Sequence, residues 1–118
     1  YHGDGLVIST PTGSTAYSLS AGGPIVDPMC QCFILSPLAP HNLTMRPVVV
    51  PDSVDIELKL TSRGCEAFLS ADNRTYRLGD GAKIAIRLAQ EQLILATPHN
   101  NTFYDTLRKK MMWGVDHR

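Results

Sequence analysis

Between Ser9 and Gly23 the chain reads Ser-Thr-Pro-Thr-Gly-Ser-Thr-Ala-Tyr-Ser-Leu-Ser-Ala-Gly-Gly, and seven of those fifteen residues are Ser or Thr. The stretch begins where the apolar run Leu6-Val7-Ile8 stops. A strand, a glycine-containing turn and a helix start together leave backbone N–H groups pointing outward, and small side chains let a ligand come close. Ser and Thr add donors and acceptors matched to sugar hydroxyls and amides. Tyr17 adds a flat face for a base or ring and a phenol that hydrogen-bonds. This is the chemistry of holding a ribose or an anion. The bland alternative is a turn whose hydroxyls satisfy its own backbone. On composition alone the two weigh about the same.

Other signatures fail. There is no G-x-x-x-x-G-K-[ST], and Gly3-Asp4-Gly5 does not continue into G-x-G-x-x-G. Gly13-Ser14-Thr15-Ala16-Tyr17 lacks the second glycine of a nucleophile elbow. Nothing in the spacing makes His41 or His99 the partner of a serine. Cys30-Gln31-Cys32 is spaced too closely for a usual zinc pair, whereas strand alternation would turn both thiols to one face as packing groups. Three cysteines without a regular framework fit a reducing compartment, and the cytoplasm is the expected location.

The 118 residues are enough for one domain with a core, and 43% hydrophobic with 19% charged residues is ordinary globular composition. Eleven basic residues balance eleven acidic ones, so no overall field draws nucleic acid or membrane, and neither is an expected partner. No apolar run reaches the length of a membrane-spanning helix. The chain opens without Met, almost directly on Gly3-Asp4-Gly5, which suggests a piece of a longer protein.

The elements that must position the loop are mostly strands. Val54, Ile56, Leu58 and Leu60 alternate with polar neighbours, as do Ile84, Ile86 and Leu88. Ala67–Ser70 and Thr75–Leu78 flank Ala71-Asp72-Asn73-Arg74 as a hairpin, and Asn73 tolerates the positive φ such a turn needs. Val48-Val49-Val50, Cys32–Leu35 and Leu93–Ala96 read as further strands. Seven or so short strands argue for an all-β, antiparallel, multi-stranded sandwich. Ser14–Ala21 reads as a short helix ended by Gly22-Gly23 and capped near Thr12 or Ser14. Phe103–Trp113 reads as a C-terminal helix whose Arg108-Lys109-Lys110 run suits the dipole.

The wording of two blocks goes further. Gly3-Asp4-Gly5-Leu6-Val7-Ile8-Ser9 followed by Thr10-Pro11-Thr12-Gly13-Ser14-Thr15-Ala16-Tyr17-Ser18-Leu19-Ser20-Ala21-Gly22-Gly23-Pro24 closely resembles the signature of the NAD kinases. Ser36-Pro37-Leu38-Ala39-Pro40-His41-Asn42-Leu43-Thr44-Met45-Arg46-Pro47-Val48-Val49-Val50-Pro51 agrees as a second block, and Leu69-Ser70-Ala71-Asp72 as a weaker third. The resemblance covers nearly the whole chain. It implies that residues 1–118 are the C-terminal β-sandwich, NAD-binding and oligomerising, of a two-domain kinase. Such kinases phosphorylate the adenosine ribose 2′-hydroxyl of NAD to make NADP, with ATP or polyphosphate as donor.

The resemblance also implies that the catalytic aspartate lies in a Gly-Gly-Asp-Gly motif of an N-terminal α/β domain that this chain lacks. No residue here is then catalytic, and the fragment is inert alone. Mg2+ or another divalent metal would act with ATP in the full-length enzyme. His2, Asp4 and Thr12 become pocket residues, and Thr15, Ala16, Tyr17, Ser18, Leu19 and Ser20 would hold the two ends of NAD. Ala39 would line the wall and Arg74 would lie near the site from the hairpin. Shared NAD sites imply a homodimer or homotetramer. The chain departs from the family pattern at Val26-Asp27-Pro28, where His-Pro is common, and at Asp72-Asn73, where Asp-Gly is common. His41 and Arg46 read as architectural, a His-Asn turn and an arginine bonding carbonyls. A lipid-kinase-like sandwich and a non-enzymatic nucleotide-binding β module remain as alternatives.

Overall fold

The computed structural model describes residues 2–97 and 101–112. The chain divides into two compact units, Tyr1–Pro51 with Ala89–Arg118, and Asp52–Leu88.

In the first unit, β1 (Gly5–Ser9), β2 (Cys32–Leu38) and β3 (Val48–Pro51) form an antiparallel sheet with β2 in the middle. A central strand has neighbours on both edges, and β2 carries most of the buried apolar surface: Phe33 is 4% exposed and Ile34 fully buried. Burying one such side chain contributes about 1.5–3 kcal/mol. Ile34 lies opposite Ser9 and Val49, and Ser36 opposite Val7. β3 pairs only with Cys32–Leu35, so Pro37 sits where β2 has a single neighbour, a position that tolerates proline. Of the two cysteines assigned to one face, only Cys32 is buried; Cys30 is exposed in the turn before the strand, where alternation no longer operates.

The expected helix over Ser14–Ala21 is two pieces. Thr12–Thr15 is one turn of 3₁₀ helix, and α1 (Tyr17–Ser20) follows after Ala16, whose φ of −97° and ψ of −130° interrupt helical geometry. Neither piece has a side-chain cap, because the cap positions fall on Pro11 and Ala16, which carry no acceptor, and the Ser14 hydroxyl is committed to Val26. The expected stop is present. Gly22, at φ +85°, donates to the Leu19 carbonyl at 2.9 Å, and Gly23 donates to that of Ser18 at 2.8 Å, a Schellman ending.

The C-terminal helix is α2 (Phe103–Met111), with Trp113 outside the described residues. Thr102 and Asp105 form a capping box, a Thr-x-x-Asp signal visible in the sequence but not used above. Leu107 is its buried anchor. Leu93–Ala96, expected as a strand, has no strand assignment, and Leu93 and Ile94 are 87% and 89% exposed. An apolar run becomes a strand only where another strand lies alongside it, and among the described residues none pairs with it.

The second unit holds two antiparallel pairs. β4 (Ile56–Lys59) pairs with β7 (Lys83–Ile86), and β5 (Ala67–Ala71) with β6 (Arg74–Leu78). Ala71 lies opposite Arg74, leaving the two-residue loop Asp72-Asn73. The positive φ, 53°, falls on Asp72 and not on Asn73; a short polar side chain makes either residue tolerable there. The fold is all-β and antiparallel, with little helix.

Candidate functional site

The hydroxyl-rich loop sorts its side chains by direction. Ser14 and Ser18, four residues apart, are 0% and 1% exposed. Thr12, Thr15, Ala16 and Ser20 are exposed, Leu19 is half-buried and Tyr17 is 63% exposed. The inward serines are used structurally. Ser14 Oγ accepts the Val26 N–H at 3.0 Å, tying the 3₁₀ turn to the far side of the loop. Ser18 Oγ lies 3.4 Å from Ser36 Oγ on β2. Of the residues assigned to hold NAD, Ser18 therefore has no exposed hydroxyl to offer. Gly13 is packed as well, since a Cβ there would meet Ser9 Oγ at 2.8 Å. What remains outward is an aromatic face, small residues and the hydroxyls of Thr12, Thr15 and Ser20.

A second group gathers where β1 begins. Asp4 N–H donates to the Leu38 carbonyl at 3.0 Å, and His41 N–H to the His2 carbonyl at 2.8 Å. These bonds bring His2, Asp4, Ala39 and His41 to one end of the β1–β2 ladder, all of them exposed. The His2 and His41 rings are nearly parallel, with centroids 6.2 Å apart. Ala39 turns at φ +43°, a left-handed conformation costly for a non-glycine residue. Asn42 Oδ1 accepts from Thr44 N–H at 3.0 Å, and Arg46 donates to the Leu43 and Met45 carbonyls at 2.7 and 3.0 Å. The His-Asn turn and Arg46 are architectural in this sense.

The two groups are held by one strand. Thr12–Ser20 leaves the end of β1, while His2 and Asp4 precede its start. α1 folds back so that Ser18 meets Ser36, the residue opposite Val7 in the middle of β1. Arg74 belongs to the second unit, where it opens β6 and is exposed. His99 lies outside the described residues.

Elsewhere in the first unit, Ile25, Asp27, Phe103, Tyr104 and Leu107 line an open cleft between α2 and the chain after Gly23. Tyr104 donates its phenol proton to Asp27 Oδ2 at 2.7 Å, and Met29 N–H donates to Asp27 Oδ1 at 2.8 Å. The Tyr104 bond, then the Met29 bond, hold the Asp27 carboxyl below its ordinary pKa, and the same partner raises that of Tyr104. At Asp27, where the chain departs from the resembled pattern, the carboxylate is thus bonded to α2 and to the Met29 amide.

The model of the ATP-NAD kinase C-terminal domain family matches residues 1–98. The chain belongs to this family. It is 45% identical over 118 residues to the NAD kinase of Christiangramia forsetii, covering all of this chain and 40% of that protein. Among solved structures, yeast NADH kinase complexed with NADH aligns at a TM-score of 0.83 and 28% identity, over 98% of this chain and 37% of that one. An NAD kinase from Archaeoglobus fulgidus in complex with ATP aligns at 0.66 and 37% identity, over 75% and 33%. The chain thus spans about two fifths of the curated NAD kinase it matches. Within this NAD kinase domain, the outward loop residues and the His2–Asp4 group are the candidate site.

Proposed function

We propose that this chain is the NAD-binding domain of a protein that phosphorylates the adenosine ribose 2′-hydroxyl of NAD to give NADP. One observation carries the reading: the family signature folds into a loop whose structural hydroxyls are buried, leaving Thr15, Ala16, Tyr17 and Ser20 outward. The NADH complex of the yeast relative supports a dinucleotide ligand, and the ATP complex of the archaeal relative supports ATP as donor, with polyphosphate the other candidate. In this reading Tyr17 stacks on a ring of the dinucleotide, Thr15 and Ser20 bond its hydroxyl or amide edges, and Asp4 accepts from a sugar hydroxyl or amide. Ala16 admits the ligand closely. His2, Thr12, Leu19 and Ala39 complete the wall.

The base that takes the 2′-hydroxyl proton is assigned to the rest of the full-length protein, as is the phosphate cradle. Among the described residues no group of three or more His, Cys, Asp and Glu is placed to hold a metal ion. A divalent metal would accompany ATP in the full-length protein. Among the described residues no helix is long and apolar enough to cross a membrane. A homodimer or homotetramer working in the cytoplasm completes the proposal.

The test is direct. The full-length protein, supplied with NAD, ATP and Mg2+, is expected to form a product that an NADP-specific dehydrogenase reduces. A product phosphorylated elsewhere, or phosphoryl transfer to a lipid headgroup instead, sinks the reading.

A further inference from the structure

We propose that Gly23, Ser18 and Ser36 act as a positioning lock that sets where α1 presents Tyr17 and Ser20 to the dinucleotide, an inference resting on the NAD-binding reading above. Two adjacent glycines follow α1 for different reasons. Gly22 has φ +85° with nothing within 4 Å of a would-be Cβ, so conformation alone calls for glycine. Gly23 lies outside the left-handed region. Space decides there instead. A Cβ on Gly23 would stand 2.5 Å from Ser18 Oγ, 2.7 Å from Ser36 Oγ and 2.8 Å from the Ser18 carbonyl oxygen.

Those three oxygens come from two elements. Ser18 belongs to the single turn of α1, and Ser36 to the central strand β2, held opposite Val7. Gly23 N–H donates to the Ser18 carbonyl at 2.8 Å, and the two hydroxyls lie 3.4 Å apart at 1% and 0% exposure. Glycine at 23 thus lets α1 lie closer to β2 than any side chain would permit. Tyr17 and Ser20 flank Ser18 and face out, so a displacement of Ser18 moves both. Ser18 and Ser36 are too deeply buried to touch a ligand themselves. They act through α1.

The test uses the full-length protein with Gly23→Ala, Ser18→Ala and the double variant, reading amide exchange over 17–23 and the kinetics toward NAD and ATP separately. Gly23→Ala is expected to lower kcat/KM for NAD on the order of tenfold to a hundredfold, as small misplacements of binding groups do. The KM for ATP should stay put. Ser18→Ala introduces no clash and is expected to fold; loss of one weak contact should raise the KM for NAD about two- to tenfold. Adding Ser18→Ala to Gly23→Ala removes the nearest clashing oxygen and should restore part of the loss, a coupling that independent sites do not show. The lock is overturned if Ser18→Ala leaves both the KM for NAD and the exchange of Ala21–Gly23 amides unchanged, or if NAD and ATP constants worsen equally. A wild-type protein that makes no NADP removes the functional reading alone. Amide exchange then decides: faster exchange at Ala21–Gly23 in Ser18→Ala sustains the lock, and unchanged exchange ends it.

Discussion

The Ser14 hydroxyl accepts the Val26 N–H at 3.0 Å and faces the Val26 carbonyl oxygen at 3.4 Å, joining positions twelve residues apart. One buried side chain thereby closes the loop that carries the candidate site. Ser14→Ala leaves the Val26 amide without its partner, and an unmet donor of this kind costs about 1–3 kcal/mol. The melting temperature of the full-length protein should fall accordingly. An unchanged melting temperature would show that water replaces the hydroxyl without penalty.

Asp4 and Tyr17 separate binding from stability. Asp4→Asn keeps size and removes charge, and Tyr17→Ala removes the ring that is 63% exposed. On the proposed function, each should raise the full-length protein's KM for NAD and leave that for ATP nearly alone. A charge-assisted hydrogen bond contributes about 1.5–3 kcal/mol, so Asp4→Asn should lose roughly tenfold or more in kcat/KM. Should the Asp4 carboxylate serve only to cap the turn at the start of β1, the variant loses thermal stability with NAD kinetics intact.

The chain by itself should make no NADP. Deprotonating and aligning the 2′-hydroxyl needs a base and a phosphate cradle, and neither a Gly-Gly-Asp-Gly motif nor a P-loop occurs in it. Incubating purified residues 1–118 with NAD, ATP and Mg2+ checks this, and NADP above background would move the chemistry into this domain.

The Asp27–Tyr104 bond makes the seating of α2 depend on pH. Asp27 is held below its unfolded pKa, first by the Tyr104 phenol and then by Met29 N–H. Its contribution is present above the ordinary value of 3.8 and is lost as pH falls through the lower folded one. Tyr104 is raised, so its contribution is present below about 10 and is lost as pH rises through its folded value. The melting-temperature difference between wild type and Tyr104→Phe should therefore be steady near neutrality and shrink at both extremes. A difference that persists unchanged at pH 3 would rule this out.

Much of this was legible along the chain, because it rests on neighbours in sequence. Alternation in Ile56–Lys59 and Lys83–Ile86 marked β4 and β7, and Gly22-Gly23 marked the end of α1. The run from Thr12 to Ser20 stood out as one chemical unit, and its wording pointed to the family that the comparison over residues 1–98 establishes. Thr102 and Asp105 carried a capping signal of the same local kind.

What sequence left open depends on groups brought together across the fold. Ser18 and Ser20 are the same residue type two positions apart; only Ser36, from the middle of β2, makes one a buried packing group and leaves the other exposed. Gly22 and Gly23 are likewise identical in sequence, yet one answers to φ and the other to three oxygens gathered from α1 and β2. Leu93–Ala96 has a strand's composition without a strand's partner among the described residues. Asp27 gains its role from Tyr104, seventy-seven residues away. Local propensity is written in the chain itself. Direction of burial and pairing are set by what the rest of the fold places opposite each residue, which no window of sequence contains.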